Sequence, residues 1–225
     1  MPIIKHPKTF DHEALITKAS TRKDFKKIKD ATVSWTAKSG RKIRLTPNIE
    51  PEQVKLYEQL YSRIENLMKY FPSSIKHNPL ARMTFIENAN GKYSGFEKHR
   101  GKTLDELMLQ KKIKPEDIDI HIQSLIRIYK KFRDQGIDHG NLHSENIYID
   151  KEGKMQITDI SKIRRANQES GKDLIKTIYK LLRYKIDKST GILTNKEKKY
   201  IQHSLDGILD YTQINEKHVD KMMRN

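Results

Sequence analysis

The chain has 225 residues, with 45 Lys and Arg against 29 Asp and Glu, a formal charge of +16 and no cysteine. The absence of cysteine excludes disulfides, thiolate metal sites and thiol nucleophiles. No apolar run approaches the length of a membrane span, the first residues lack the apolar core of a secretory signal, and the positive surface calls for something acidic.

Residues 1–30 are polar, basic and weakly periodic, and read as a basic N-terminal arm. Within them Ser20 to Lys29 fits a short helix or an ordered arm. The first extended signal is Ala31 to Lys38, with Val33 and Trp35 on one face. Ser39-Gly40 reads as a turn, and Arg41 to Thr46 as the returning strand with Ile43 and Leu45 inward. Pro47 and Pro51 punctuate the next stretch. Pro51 suits the first turn of a helix, where its missing N–H costs nothing. The apolar stripe from Val54 to Met68 carries that helix to about Tyr70. Pro72 and Pro79 bracket a loop.

Two more strands are expected at Arg82 to Glu87 and Tyr93 to Glu97, turned by Asn88-Ala89-Asn90-Gly91. Leu104 to Gln110 starts a helix, with Thr103 or Asp105 as cap material. Pro115-Glu116-Asp117 opens a longer one, which Gly136 ends. Residues 147–160 form a short extended pair around the charged turn at Asp150 to Lys154. Asp173 to Tyr184, Lys196 to Tyr211 and Glu216 to Met223 read as helices. The order predicts an α+β chain: an arm (1–30), a small sheet-rich lobe with one long helix (31–98) and a helical lobe (99–225).

The chemistry-bearing segment is His139-Gly140-Asn141-Leu142-His143-Ser144-Glu145-Asn146-Ile147, followed by Asp159-Ile160-Ser161. Read from its residues, it is a polar loop after a helix and then a small hairpin ending in an acid. An amide and a carboxylate at the two ends of such a hairpin, Asn146 and Asp159, are hard oxygen ligands of the kind that hold Mg²⁺ on a polyphosphate.

This stretch resembles the catalytic core of the protein kinase-like superfamily. His139-Gly140-Asn141 takes the place of its His-Arg-Asp or His-Gly-Asp tripeptide. Asn146, five residues further on, takes that of its metal-binding Asn, and Asp159, eighteen beyond Asn141, that of its second metal ligand. Tyr93 to Lys98 resembles the last small-lobe strand and hinge. Gly101 to Met108 resembles the glycine and helix after a hinge, and Asp173 the acid that braces the catalytic loop. The resemblance covers roughly residues 31–185. It implies a compact two-lobed kinase-like α+β fold with a truncated helical lobe and a short activation segment. It also implies a cleft near Glu97, Asn146 and Asp159 that binds ATP with Mg²⁺, and γ-phosphoryl transfer to a Ser or Thr hydroxyl of a protein.

The chain departs from the pattern. Asn141 stands where the family has its catalytic Asp, and an amide cannot act as a base near neutral pH. Either the chain is a natural pseudokinase that serves as a protein-binding module, or Asn141 replaces a natural Asp. No glycine precedes Gly40, so the family's glycine-rich phosphate loop has no counterpart. The strand lysine falls near Arg44 or Thr46, or at Lys42 in a shifted register. Its acidic partner is expected at Glu58, then Glu65. Only residues 160–172 separate Asp159 from Asp173, too few for a full activation segment.

The compact form resembles the minimal kinases that bacterial pathogens secrete into host cells. That implies action in the host cytoplasm and an acidic protein partner or a host ubiquitin-conjugating enzyme; small viral kinase-like proteins resemble it too. Small-molecule phosphotransfer is a further alternative. Specific nucleic-acid recognition is not expected, because single aromatics do not form a stacking platform. His139 is expected to be structural. Lys162, Arg164 and Arg165 could receive a phosphate or an acidic surface.

Overall fold

The computed structural model describes residues 26–27, 33–36, 42–68, 78–88, 90–99, 101–186 and 192–214. The chain is mixed α+β, as its pattern of elements predicts. Its contacts divide it into two compact units: residues 1–102 with 148–163, and residues 103–147 with 164–225. The hairpin after the polar loop therefore groups with the sheet. Chain order suggests continuity with the helical part instead, which is why the expected boundary at residue 99 placed it there.

In the first unit, strands β1 (Lys26–Lys27), β2 (Val33–Thr36), β3 (Lys42–Ile49), β4 (Met83–Glu87) and β5 (Tyr93–His99) form an antiparallel sheet of order β1-β2-β3-β5-β4. Lys26 and Lys27 pair with Ser34 and Val33, where the sequence suggested a helix or an arm; the rest of that segment lies outside the described residues. The β2–β3 register sets Trp35 against Ile43 and Val33 against Leu45. Strand β3 runs on past Pro47 to Ile49, beyond the expected end at Thr46. An irregularity between Thr46 and Ile49 makes room for the proline, which has no N–H to give the ladder. Asn48 sits in that irregularity at φ 56°.

Helix α1 (Pro51–Met68) buries Val54, Leu56, Tyr57, Leu60, Tyr61 and Ile64, as its stripe predicts, whereas Leu67 of the same stripe is exposed and Met68 half-buried. Tyr57 fastens it to the sheet. Its hydroxyl donates to the Ala81 carbonyl (2.6 Å) and accepts from the Met83 N–H (2.9 Å), and its ring meets Phe85 edge-on. Burial pushes the Tyr57 phenol above its ordinary pKa, so it stays a donor. Leu80 bridges to Ile157, which ties the later hairpin to this unit. Gly101, at φ 90°, has the Ile149 carbonyl oxygen 2.0 Å from where a Cβ would stand; only glycine fits there.

A short strand β6 (Lys102–Thr103, its first residue still in the first unit) leads into helix α2 (Leu104–Leu109) of the second unit. Thr103 caps that helix in a capping box with Glu106. Helix α3 (Asp117–Arg133) buries Ile118, Ile122, Leu125, Ile126, Tyr129 and Phe132 among others. Two-residue strand β7 (Ile137–Asp138) and a 3-10 turn (Ser144–Asn146) flank the polar loop. Strands β8 (Ile147–Ile149) and β9 (Met155–Ile157) make the predicted hairpin. Strand β10 (Arg164–Arg165) pairs with β7, a contact too short to read from the sequence. Helices α4 (Lys172–Lys185) and α5 (Asn195–Thr212) complete the second unit. The helix expected at Glu216 to Met223 lies outside the described residues. Among the described residues no helix is long and apolar enough to cross a membrane.

Candidate functional site

The first unit holds a buried charge cluster. Strand alternation puts Arg44 and Thr46 on the face of β3 opposite Leu45, and the β3–β5 register sets Arg44 directly across from Glu97. Arg44 and Glu97 are both 0% exposed. The hairpin supplies the second acid: Asp159 follows β9 at φ 63°. Arg44 Nη2 donates to Asp159 Oδ2 at 2.7 Å, and Nη1 to Thr158 Oγ1 at 3.1 Å. Arg44 Nε lies 3.5 Å from Glu97 Oε1. That same oxygen accepts from the Asp159 N–H at 3.2 Å. The other Asp159 oxygen, Oδ1, accepts from the Ser161 N–H at 3.1 Å.

One guanidinium thus faces two carboxyl groups in a buried site. Burial pushes the Glu97 carboxyl up to about 8; Arg44 opposes the shift and Asp159 adds to it. A neutral Glu97 beside an Arg44–Asp159 ion pair leaves the cluster with no net charge, the arrangement a dry interior tolerates best.

The second unit holds the polar loop. His139 is fully buried and stacks on Phe132, with centroids 6.0 Å apart. Asn141 and Asn146 are buried, and Asn146 Nδ2 donates to the Asn141 carbonyl at 3.0 Å. That bond turns the Asn146 amide oxygen away from the carbonyl. One stripe of α4 holds the loop from the other side. Asp173 Oδ1 lies 3.4 Å from His143 Nε2, and Thr177 Oγ1 donates to the Leu142 carbonyl at 2.7 Å. Lys180 Nζ donates to Ser144 Oγ at 3.2 Å and pairs with Asp105. Ser144 Oγ in turn donates to Asp105 Oδ1 at 3.0 Å. Positions 173, 177 and 180 have the i, i+4, i+7 spacing of a helix face.

The expected site residues fall into place unevenly. Arg44, Glu97 and Asp159 come together; Asn141 and Asn146 come together in the other unit. Lys42 opens β3, opposite Thr36 and His99. Glu58 was expected to pair with the strand cation, but the acids on Arg44 are Glu97 and Asp159. Glu58 lies half-buried on α1, and Glu65 is exposed and accepts a hydrogen bond from Tyr61. The cross-strand register decides this: Glu97 is the neighbour of Arg44 in the sheet itself. Arg44 was also expected to contact phosphates, yet its guanidinium is committed to protein acceptors. Of the basic cluster, Arg164 pairs with the buried Asp138 (3.0 Å), while Lys162 and Arg165 are exposed.

Thr158, Asp105, Thr177 and Lys180 were missed. Thr177 and Lys180 could have been found from their spacing to Asp173. Nothing in the sequence distinguishes Thr158 or Asp105 from ordinary loop and helix residues.

Magnesium requires oxygen lone pairs directed at the ion, in near-octahedral geometry. At Asp159 the guanidinium already sits on Oδ2 and the Ser161 N–H on Oδ1, and the positive charge beside Oδ2 opposes a second cation there. Among the described residues no three His, Asp or Glu side chains are grouped to hold a metal ion. A scan of protein-family models finds none that matches the chain, and a search of curated proteins finds no match either.

Proposed function

We propose that this chain is a kinase-like binding module that docks an acidic protein partner, with its catalytic-type loop retained as structure rather than used for phosphoryl transfer. The observation that carries the reading is the Arg44–Asp159 ion pair: the acid in the metal-ligand position already holds a cation supplied by the chain. Two further points support it. Asn141 brings an amide to the position where proton acceptance would need a carboxylate. The formal charge of +16 provides long-range attraction for an acidic surface.

The test is ATP binding by calorimetry, with and without Mg²⁺, on the natural chain and on Asn141→Asp, and then a phosphotransfer assay on protein substrates. The expected result is no magnesium-enhanced nucleotide binding and no transfer in either form. Magnesium-dependent binding with transfer by the Asp form would overturn the reading.

That outcome belongs to the second reading, ATP- and Mg²⁺-dependent phosphoryl transfer to protein Ser or Thr. One observation favours it: the loop from His139 to Asn146 is held at Asn141, Leu142, His143 and Ser144. A loop without chemical duty has no need of so many anchors.

A further inference from the structure

We infer that Arg44 is the resident cation of Asp159 and that, while it is in place, Asp159 takes no divalent metal. The inference rests on reading Asp159 as the acid in the metal-ligand position. It makes no use of nucleotide or partner binding.

Arg44 is the largest of the fully buried side chains among the described residues, and it lies in the middle of a sheet rather than at an edge. A buried guanidinium is retained only where acceptors surround it. Here Asp159 Oδ2 and Thr158 Oγ1 accept from it and Glu97 Oε1 lies 3.5 Å from Nε, and all three belong to the same compact unit as Arg44. The charge-assisted contact to Oδ2 is the shortest of them, at 2.7 Å.

A divalent ion at the same oxygen would stand against the guanidinium, cation beside cation, in a buried site where water screens them little. It would also have to shed most of its hydration shell, which magnesium does reluctantly. The guanidinium has already met that cost during folding. Moving it aside is not easy, because Nη1 is also bonded to Thr158 and the side chain is fully buried. Asp159 is further fixed through its own N–H to Glu97 Oε1 and through Oδ1 to the Ser161 N–H. The carboxylate therefore already carries a donor on each oxygen, a cation among them, and is held against swinging towards a metal. The charge of the cluster points the same way. Removing Arg44 would leave the carboxyl groups of Asp159 and Glu97 facing each other across a gap that had held a cation, which is the composition of a divalent site.

The experiment uses the intact chain and Mn²⁺ alone, read by paramagnetic relaxation of water, with thermal unfolding recorded for every form. In the intact chain, Asp159→Asn is expected to leave Mn²⁺ binding unchanged and to lower Tm, since it takes the closest, charge-assisted acceptor from a buried guanidinium and leaves it Glu97 alone as an acid. Loss of a Mn²⁺ site in that variant would overturn the inference. Arg44→Met is expected to gain one Mn²⁺ site at least tenfold tighter than any in the natural chain, and Arg44→Met with Asp159→Asn to lose it again. A folded Arg44→Met that gains no site would also overturn it. If Arg44→Met does not fold, the Asp159→Asn comparison decides by itself.

Discussion

Arg44 shows how little of a buried side chain's surroundings can be read from its own strand. Strand alternation around the Ser39-Gly40 turn leaves Arg44, Thr46 and Lys42 as candidates, and it takes the β3–β5 register and the approach of the hairpin to set Arg44 against Glu97 and Asp159. The same cluster predicts a pH dependence. Glu97 binds its proton more tightly in the folded chain, up to about 8 against an ordinary value of 4.5. Between those two pH values the native state holds a proton that the unfolded chain has lost, so stability falls as pH rises through the interval and is flat above it, by at most ~1.4 kcal/mol per pH unit for one proton. Glu97→Gln imitates the protonated form and should flatten this slope while leaving stability at pH 5 within about 1 kcal/mol. Urea unfolding at pH 5, 6, 7 and 8 measures both, and a slope unchanged in the variant would assign the titration to another group.

Among the helices and strands, two polar fastenings hold apolar pieces in register. Tyr57→Phe would leave the Met83 N–H and the Ala81 carbonyl, both on buried residues, without their partner. A loss of about 1–3 kcal/mol in denaturant unfolding is the expected cost. Thr177→Val keeps the shape of α4 but removes the donor to the Leu142 carbonyl, and should cost about 1–2 kcal/mol. Much of this level was legible in the sequence. The α1 stripe, the helix opened by Pro115-Glu116-Asp117, the 147–160 hairpin and the Thr103 cap each come from local periodicity or end chemistry. The strand past Pro47 and the β7–β10 pair were not legible. They depend on partners far along the chain, and a two-residue strand has no period to detect. The candidate site divides in the same way: the Asn141–Asn146 turn is local and could be read, whereas the Arg44 pairing spans 115 residues.

For the molecule as a whole, charge is the dominant property. With 45 basic against 29 acidic residues, association with an acidic partner should be driven by long-range attraction and weaken steeply with salt. Surface plasmon resonance on an acidic protein surface should show the association rate falling by about tenfold or more between roughly 50 and 500 mM NaCl, with a smaller change in dissociation. A rate insensitive to salt would count against docking by charge. Gly101→Ala tests the other global property, the passage of the chain at the end of the sheet. Its new methyl would meet the Ile149 carbonyl, so soluble yield and cooperative unfolding should both drop sharply.

The first unit is discontinuous in the chain, and this has a consequence for its birth on the ribosome. Arg44 leaves the exit tunnel well ahead of Asp159, since 115 residues separate them. At elongation rates of about 5–20 residues per second that interval is roughly 6–23 s. Throughout it the nascent sheet has a guanidinium destined for its interior and only Glu97, itself made later than Arg44, to meet it. A message truncated before codon 159 should therefore yield a product that proteases clear rather than a stable half-molecule.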